Sequence, residues 1–252
     1  MNMKKMWVFL CAAAVFAVTC PGPSSAAVEV EGGAYVGFFD KYLWRGYDLS
    51  GSGGVIQGGM DLSHKGFTLS YWTNIQANDD KPTFKSGEAT ETDITLDYTF
   101  SLNDTVSLSI GNIYYNLNTD DDNGDNYPDT NEAYVGLSLN TILEPTLKVY
   151  YDWDECKEDG LFVTAAVGHG FDLAEGLSLS LGALVGYNQE SDYAVGDYSD
   201  WHNYELSVGL DYAVNENVSI SPSFLFSSPI SDESKDRIDS ETVGGITLSF
   251  AF

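Results

Sequence analysis

Ile246-Thr247-Leu248-Ser249-Phe250-Ala251-Phe252 closes the chain with an apolar side chain at every second position and a small or polar one between. A period of two puts the apolar set on one face of an extended strand. In water, an aromatic-rich strand at a sheet edge invites pairing with other chains and aggregation. A closed sheet removes the edge, and a lipid surround accepts the apolar face. This ending therefore predicts an antiparallel transmembrane β-barrel, all-β, with its last strand at the C-terminus.

The same alternation recurs upstream. Leu177, Leu179, Leu181, Ala183, Val185 and Tyr187 share one face, against Ser178, Ser180, Gly182 and Gly186 on the other. Val218, Ile220, Pro222, Phe224 and Phe226 oppose Ser219, Ser221, Ser223 and Ser227. The pattern predicts about twelve strands, at 33–44, 55–63, 66–76, 92–101, 105–116, 132–141, 145–154, 160–171, 176–188, 202–213, 217–227 and 242–252. Each is close to the roughly 9–11 residues that cross a bilayer at a tilt. Short connections such as Ser63–Gly66 and Leu102–Asp104 alternate with long acidic ones: 45–54, 77–91, 117–131, 189–201 and 228–241. Glu155–Asp159 is the exception. Short periplasmic turns facing longer extracellular loops is the outer-membrane pattern, and it puts both termini in the periplasm. A soluble β-sandwich also alternates but has no reason for this asymmetry. Tyr42, Trp44, Trp72, Tyr114, Tyr151, Trp153, Tyr187, Trp201, Tyr204 and Tyr212 are expected in aromatic girdles at the membrane interfaces.

The N-terminus predicts export. Lys4 and Lys5 precede an apolar run from Met6 to Val18, too short to span a bilayer as a helix. Ser25 and Ala27 suit a signal-peptidase site, so residues 1–27 are expected to be removed and 28–252 to form a single barrel domain. Lipidation at Cys20 is the rival reading, but Ala17-Val18-Thr19 is a poor recognition sequence for it. Cys11 and Cys20 leave with the leader and Cys156 remains alone, which excludes an intrachain disulfide. The precursor has 38 acidic and 11 basic residues. Loss of Lys4 and Lys5 leaves nine basic residues and a net charge of −29. Such a chain favours cations at its surface and does not bind nucleic acid.

If the polar face lines a lumen, Asp61, Asp93, Asp97, Asp152, Asp154, Glu205 and Asp211 point inward. Lys148 is then the main inward cation, with Lys41 a second candidate. Carboxylate rings select cations in pores. The competing reading is a narrow or plugged barrel whose carboxylates pair internally, since twelve strands enclose less space than the 16–18 of open porins. In the loop 121–132, Asp121, Asn123, Asp125, Asp129 and Glu132 stand at calcium-loop spacing, with the Tyr127 carbonyl as a further ligand. Asn126 replaces the usual glycine and strands replace the flanking helices, so a solvated acidic loop competes with a calcium site. No cofactor is otherwise required. His64, His169 and His202 accompany no nucleophile elbow or triad, and no enzymatic activity is expected. His202 reads as a surface histidine beside an acidic loop.

Tyr42-Leu43-Trp44-Arg45-Gly46, Pro145-Thr146-Leu147-Lys148-Val149-Tyr150-Tyr151-Asp152 and Leu181-Gly182-Ala183-Leu184-Val185-Gly186-Tyr187 resemble the TorF-type porin family of Gram-negative bacteria, over most of the chain from about Ala34 to Phe252. The resemblance implies an outer-membrane barrel, a pore, and no catalytic residues. The function expected is passive diffusion of small cationic or neutral solutes. The alternative is a non-conducting structural or adhesive barrel with divalent-cation-binding surface loops. Expected partners are outer-membrane lipid, lipopolysaccharide, and the barrel-assembly machinery through the strand ending at Phe252.

Overall fold

Strand pairing in the computed structural model follows chain order with antiparallel neighbours throughout, and β1 (Glu31–Phe39) pairs with both its successor in the wall and the last strand. The structure describes residues 30–51, 53–78, 85–118, 127–156 and 160–252. The expected leader lies outside these residues. A two-stranded ribbon, β2 (Leu43–Trp44) and β3 (Tyr47–Asp48), follows β1 and is not part of the wall. The wall continues as β4 (Val55–His64), β5 (Phe67–Gln76), β6 (Ala89–Ser101), β7 (Val106–Leu117), β8 (Thr130–Leu139) and β9 (Thr146–Asp152). It is completed by β10 (Leu161–Ala174), β11 (Leu177–Gln189), β12 (Ser199–Ala213), β13 (Val218–Pro229) and β14 (Glu241–Ala251). One helical turn, α1 (Asp232–Lys235), lies between β13 and β14. The result is a closed antiparallel barrel of twelve strands.

Closure is made by the stretch that predicted it. Phe38 lies opposite Ile246, Val36 opposite Leu248 and Ala34 opposite Phe250. Gly32 and Phe252 exchange both backbone hydrogen bonds at 2.9 Å, so neither terminal strand leaves a free edge there. The apolar side chains at these paired positions point out of the wall. Val36, Ile110, Val135 and Ile246 are each about half exposed, and Met60, Ile94, Leu181, Leu206 and Phe224 behave alike. This continuous apolar exterior far exceeds what a water-soluble monomer presents. Among the described residues no helix is long and apolar enough to cross a membrane.

The inward face carries the small and polar residues. Glycines there make room for rings from neighbouring strands: a Cβ on Gly111 would stand 2.4 Å from Tyr134 Cζ, and one on Gly245 2.1 Å from Phe39 Cδ1. The few buried apolar side chains form no central core. Phe162, Val195 and Tyr198 cluster at the long-loop end, with Tyr47, Tyr150 and Ala194 against them.

Five expectations are corrected. The first strand does not run to Trp44; it stops at Phe39, because the chain turns into the lumen at Asp40, whose amide bonds to the Gly244 carbonyl at 3.0 Å. Tyr42 is consequently buried inside, and Trp44 packs edge-on to Tyr115 at 6.1 Å. Trp72 is also lumenal, 5.3 Å from Tyr42, since it alternates with the outward Tyr71. None of the three belongs to a girdle. His202 is not a surface residue but is fully buried. The reason is a bulge: between the pairs Val185–Tyr204 and Tyr187–Trp201, β12 has one more residue than β11, and His202 turns inward beside Asn203.

Candidate functional site

The lumen of the long-loop half is occupied by the β2–β3 ribbon. Its two-residue turn is Arg45-Gly46, with φ of +48° and +84°. Positive φ at both central positions is the turn that matches strand twist. Gly46 fits it at no steric penalty, and a Cβ there would lie 2.5 Å from Ile238 Cδ1. Arg45 adopts it under strain, which costs on the order of 1–3 kcal/mol and persists only where surrounding contacts enforce it.

Those contacts are numerous. Arg45 Nη2 donates to both Glu132 carboxylate oxygens at 2.7 Å, with only 8% and 2% of the two side chains exposed. Its guanidinium carbon lies 4.3–5.1 Å from the rings of Trp44, Tyr150 and Phe162. Planar, delocalised guanidinium is the cation best suited to aromatic burial. The Arg45 carbonyl meets His202 Nε2 at 2.7 Å, and His202 Nδ1 meets the Tyr198 hydroxyl. Tyr42 donates to Glu91 at 2.9 Å, Tyr47 donates to the Val195 carbonyl, and Lys41 pairs with Glu241. The ribbon is thus tied to β6, β8, β12, β14 and the 190–198 loop.

The carboxylates expected to face inward divide by environment. Asp61, Asp93 and Asp97 lie on the inner face of β4 and β6, alternating with the exposed Met60 and Ile94. Asp97 accepts from Tyr134 at 2.6 Å, and Lys148 Nζ sits 5.0 Å from that same ring. Glu205 accepts from Asn203 at 3.0 Å and Asp211 from Ser221 at 2.6 Å. Asp152 is inward but occupied: it takes the Thr130 hydroxyl at 2.8 Å and the amides of Asp154 and Glu155 at 3.1 Å, capping the end of β9. Asp154 lies past the end of β9 and accepts from Asn131 at 3.1 Å. The 121–132 loop is described only in part: Asp121, Asn123 and Asp125 lie outside the described residues. Asp129 accepts from Tyr114 at 2.6 Å and Asn116 at 3.0 Å, and Glu132 is held by Arg45 and Tyr115.

Below the ribbon a cavity of about 490 Å³ crosses the lumen. Trp72 and Asp93 form one wall, Ser180, Ser207 and Ser223 the other, and Tyr42 and Trp44 the roof. Alternation alone does not identify Arg45, Glu91, Glu132 or His202 as lumenal partners. The available signal was a glycine-containing two-residue turn flanked by Leu43-Trp44 and Tyr47-Asp48, which is a short hairpin signature.

No curated protein matches the chain in sequence. Solved structures share the fold. A NanC porin matches with a TM-score of 0.52 at 14% identity, over 87% of this chain and 98% of its own. A KdgM porin in complex with disordered oligogalacturonate matches with a TM-score of 0.51 at 13% identity, over 88% and 99%. A family model covers residues 23–229, and the chain therefore belongs to the bacterial family described as "Bacterial protein of unknown function (Gcw_chp)".

Proposed function

We propose that this protein is an outer-membrane channel of the TorF type through which small cationic or neutral solutes diffuse passively. The observation that carries the reading is a closed barrel with a continuous apolar exterior and a polar interior lined by carboxylates. Lipid is the solvent that such an exterior fits, and water or solute is what such an interior fits. The structural neighbours are porins rather than enzymes, which supports the channel reading. The solute's charge is argued from this chain alone. Oligogalacturonate, the ligand of the KdgM neighbour, is a polyanion. Here Arg45 and Lys41 are neutralised by Glu132 and Glu241, while Asp61, Asp93 and Asp97 line the inner face and outnumber the inward Lys148. That balance repels a polyanion and concentrates cations. Phe252 would present the terminal strand to the assembly machinery, and the acidic loops would meet lipopolysaccharide through divalent cations.

The ribbon inside the lumen favours a second reading, a non-conducting structural or adhesive barrel. Single-channel recording in a planar bilayer under a KCl gradient decides. Discrete steps with a reversal potential on the potassium side, reduced by Asp97→Asn, support the channel. A folded barrel without steps leaves the second reading standing.

A further inference from the structure

The cavity under the ribbon combines features that suit one class of ligand. Gly59, Trp72 and Asp93 lie in register across β4, β5 and β6. All three face inward, so the indole and the carboxylate are adjacent on one wall. Tyr42 packs on Trp72 at 5.3 Å, and Trp44 extends the aromatic surface into the roof. The Asp93 Oδ1 atom is buried and has no hydrogen-bond partner among the described residues. Nor does any of Asp61, Glu91 and Asp93 form an ion pair among them: the cations of the described salt bridges pair with Glu241, Glu132, Glu88, Asp232 and Asp197. Asp93 hydrogen-bonds the neighbouring Glu91 carboxyl, a contact that needs one shared proton, so the pair offers a single negative charge beside ring faces. Lys41 also lines the cavity and is neutralised by Glu241. The serine hydroxyls opposite complete a polar but uncharged surface.

We propose that this cavity binds a small organic ammonium ion, with its charge against Asp93 and its alkyl groups against Trp72, Tyr42 and Trp44. A carboxylate supplies the ion pair, and ring faces attract a cation that is too weakly hydrated to prefer bulk water. A metal ion would gain nothing from the indoles, and an anion would meet an acidic wall. A volume of about 490 Å³ is in the range of small-molecule sites. The inference rests on the channel reading, since it names the solute class that the lumen would hold on its way through.

The test is isothermal titration calorimetry on the folded barrel in detergent micelles. The two probes are choline and its uncharged carbon isostere, 3,3-dimethylbutan-1-ol. Saturable choline binding at least tenfold tighter than the isostere is expected. Asp93→Asn should bring choline down to the isostere's level, and Trp72→Leu should weaken both. Equal binding of the two probes in the unmodified protein overturns the proposal without any variant. So does unchanged choline affinity in Asp93→Asn when heat-modifiable gel mobility shows that the barrel is folded. Conductance is read separately: choline binding without current steps would refute the channel and keep the site, and current steps without choline binding would refute the site alone.

Discussion

Glu132→Gln should release the ribbon from the lumen. The substitution keeps size and the Tyr115 contact but leaves Arg45 charged, 8% exposed and without its carboxylate. Removing one member of a buried ion pair costs about 3–5 kcal/mol. The remaining tethers are weaker. The Tyr42–Glu91 hydrogen bond, made to a charged group, contributes about 1.5–3 kcal/mol. Lys41–Glu241 is partly exposed, at 32% and 20%, and contributes about 0–1 kcal/mol. Strain at Arg45 opposes docking by about 1–3 kcal/mol. At about 1.4 kcal/mol per tenfold, the lost pair shifts the ratio of undocked to docked ribbon by roughly two to three and a half powers of ten. Trypsin added to the folded barrel gives the readout, because it cleaves after Arg45 only when the ribbon leaves the lumen. Faster cleavage at Arg45, with larger single-channel current, is expected. The double variant Arg45→Met/Glu132→Leu removes both charges and should return the current toward the parent value. A folded Glu132→Gln barrel with parental cleavage rate and parental current would refute the reasoning.

Three further outcomes follow from the geometry. Ile246→Arg places a charge on the half-exposed outer face of β14; if that face meets lipid, folding into liposomes should lose about 2–4 kcal/mol in a urea titration, whereas a water-facing position would lose little. Gly111→Val drives a side chain into Tyr134 and should destabilise the barrel by about 1–3 kcal/mol, seen as a lower temperature for the gel-mobility shift. Burial and the Asp192 carboxylate, 2.9 Å from Sγ, raise the Cys156 thiol above its ordinary value. A raised thiol pKa means less thiolate at a given pH, so iodoacetamide should alkylate Cys156 slowly at pH 8, and Asp192→Asn should speed it.

The sequence disclosed the wall almost strand by strand because each wall strand separates lipid-facing from lumen-facing residues, and that separation is local and has a period of two. Ile246 to Phe252 and the serine-and-glycine faces of β11 and β13 needed no tertiary information. The misreadings fell where periodicity is interrupted. At Asp40 the chain leaves the sheet, and a count by twos carried Tyr42 and Trp44 onward as though it had not. At the β12 bulge a single extra residue reverses the face of His202, which no pattern in Asp200-Trp201-His202-Asn203 announces.

The sequence by itself determined a closed twelve-stranded barrel, its apolar exterior, its alternating short and long connections, and the inward placement of Asp61, Asp93 and Asp97. Tertiary structure alone decided what fills the lumen. Arg45 and Glu132 are 87 residues apart, and Lys41 and Glu241 are 200 apart. Alternation constrains a residue relative to its immediate neighbours along one strand. Contacts across a barrel depend on its curvature and on where a loop re-enters, and those are set only when all twelve strands have closed.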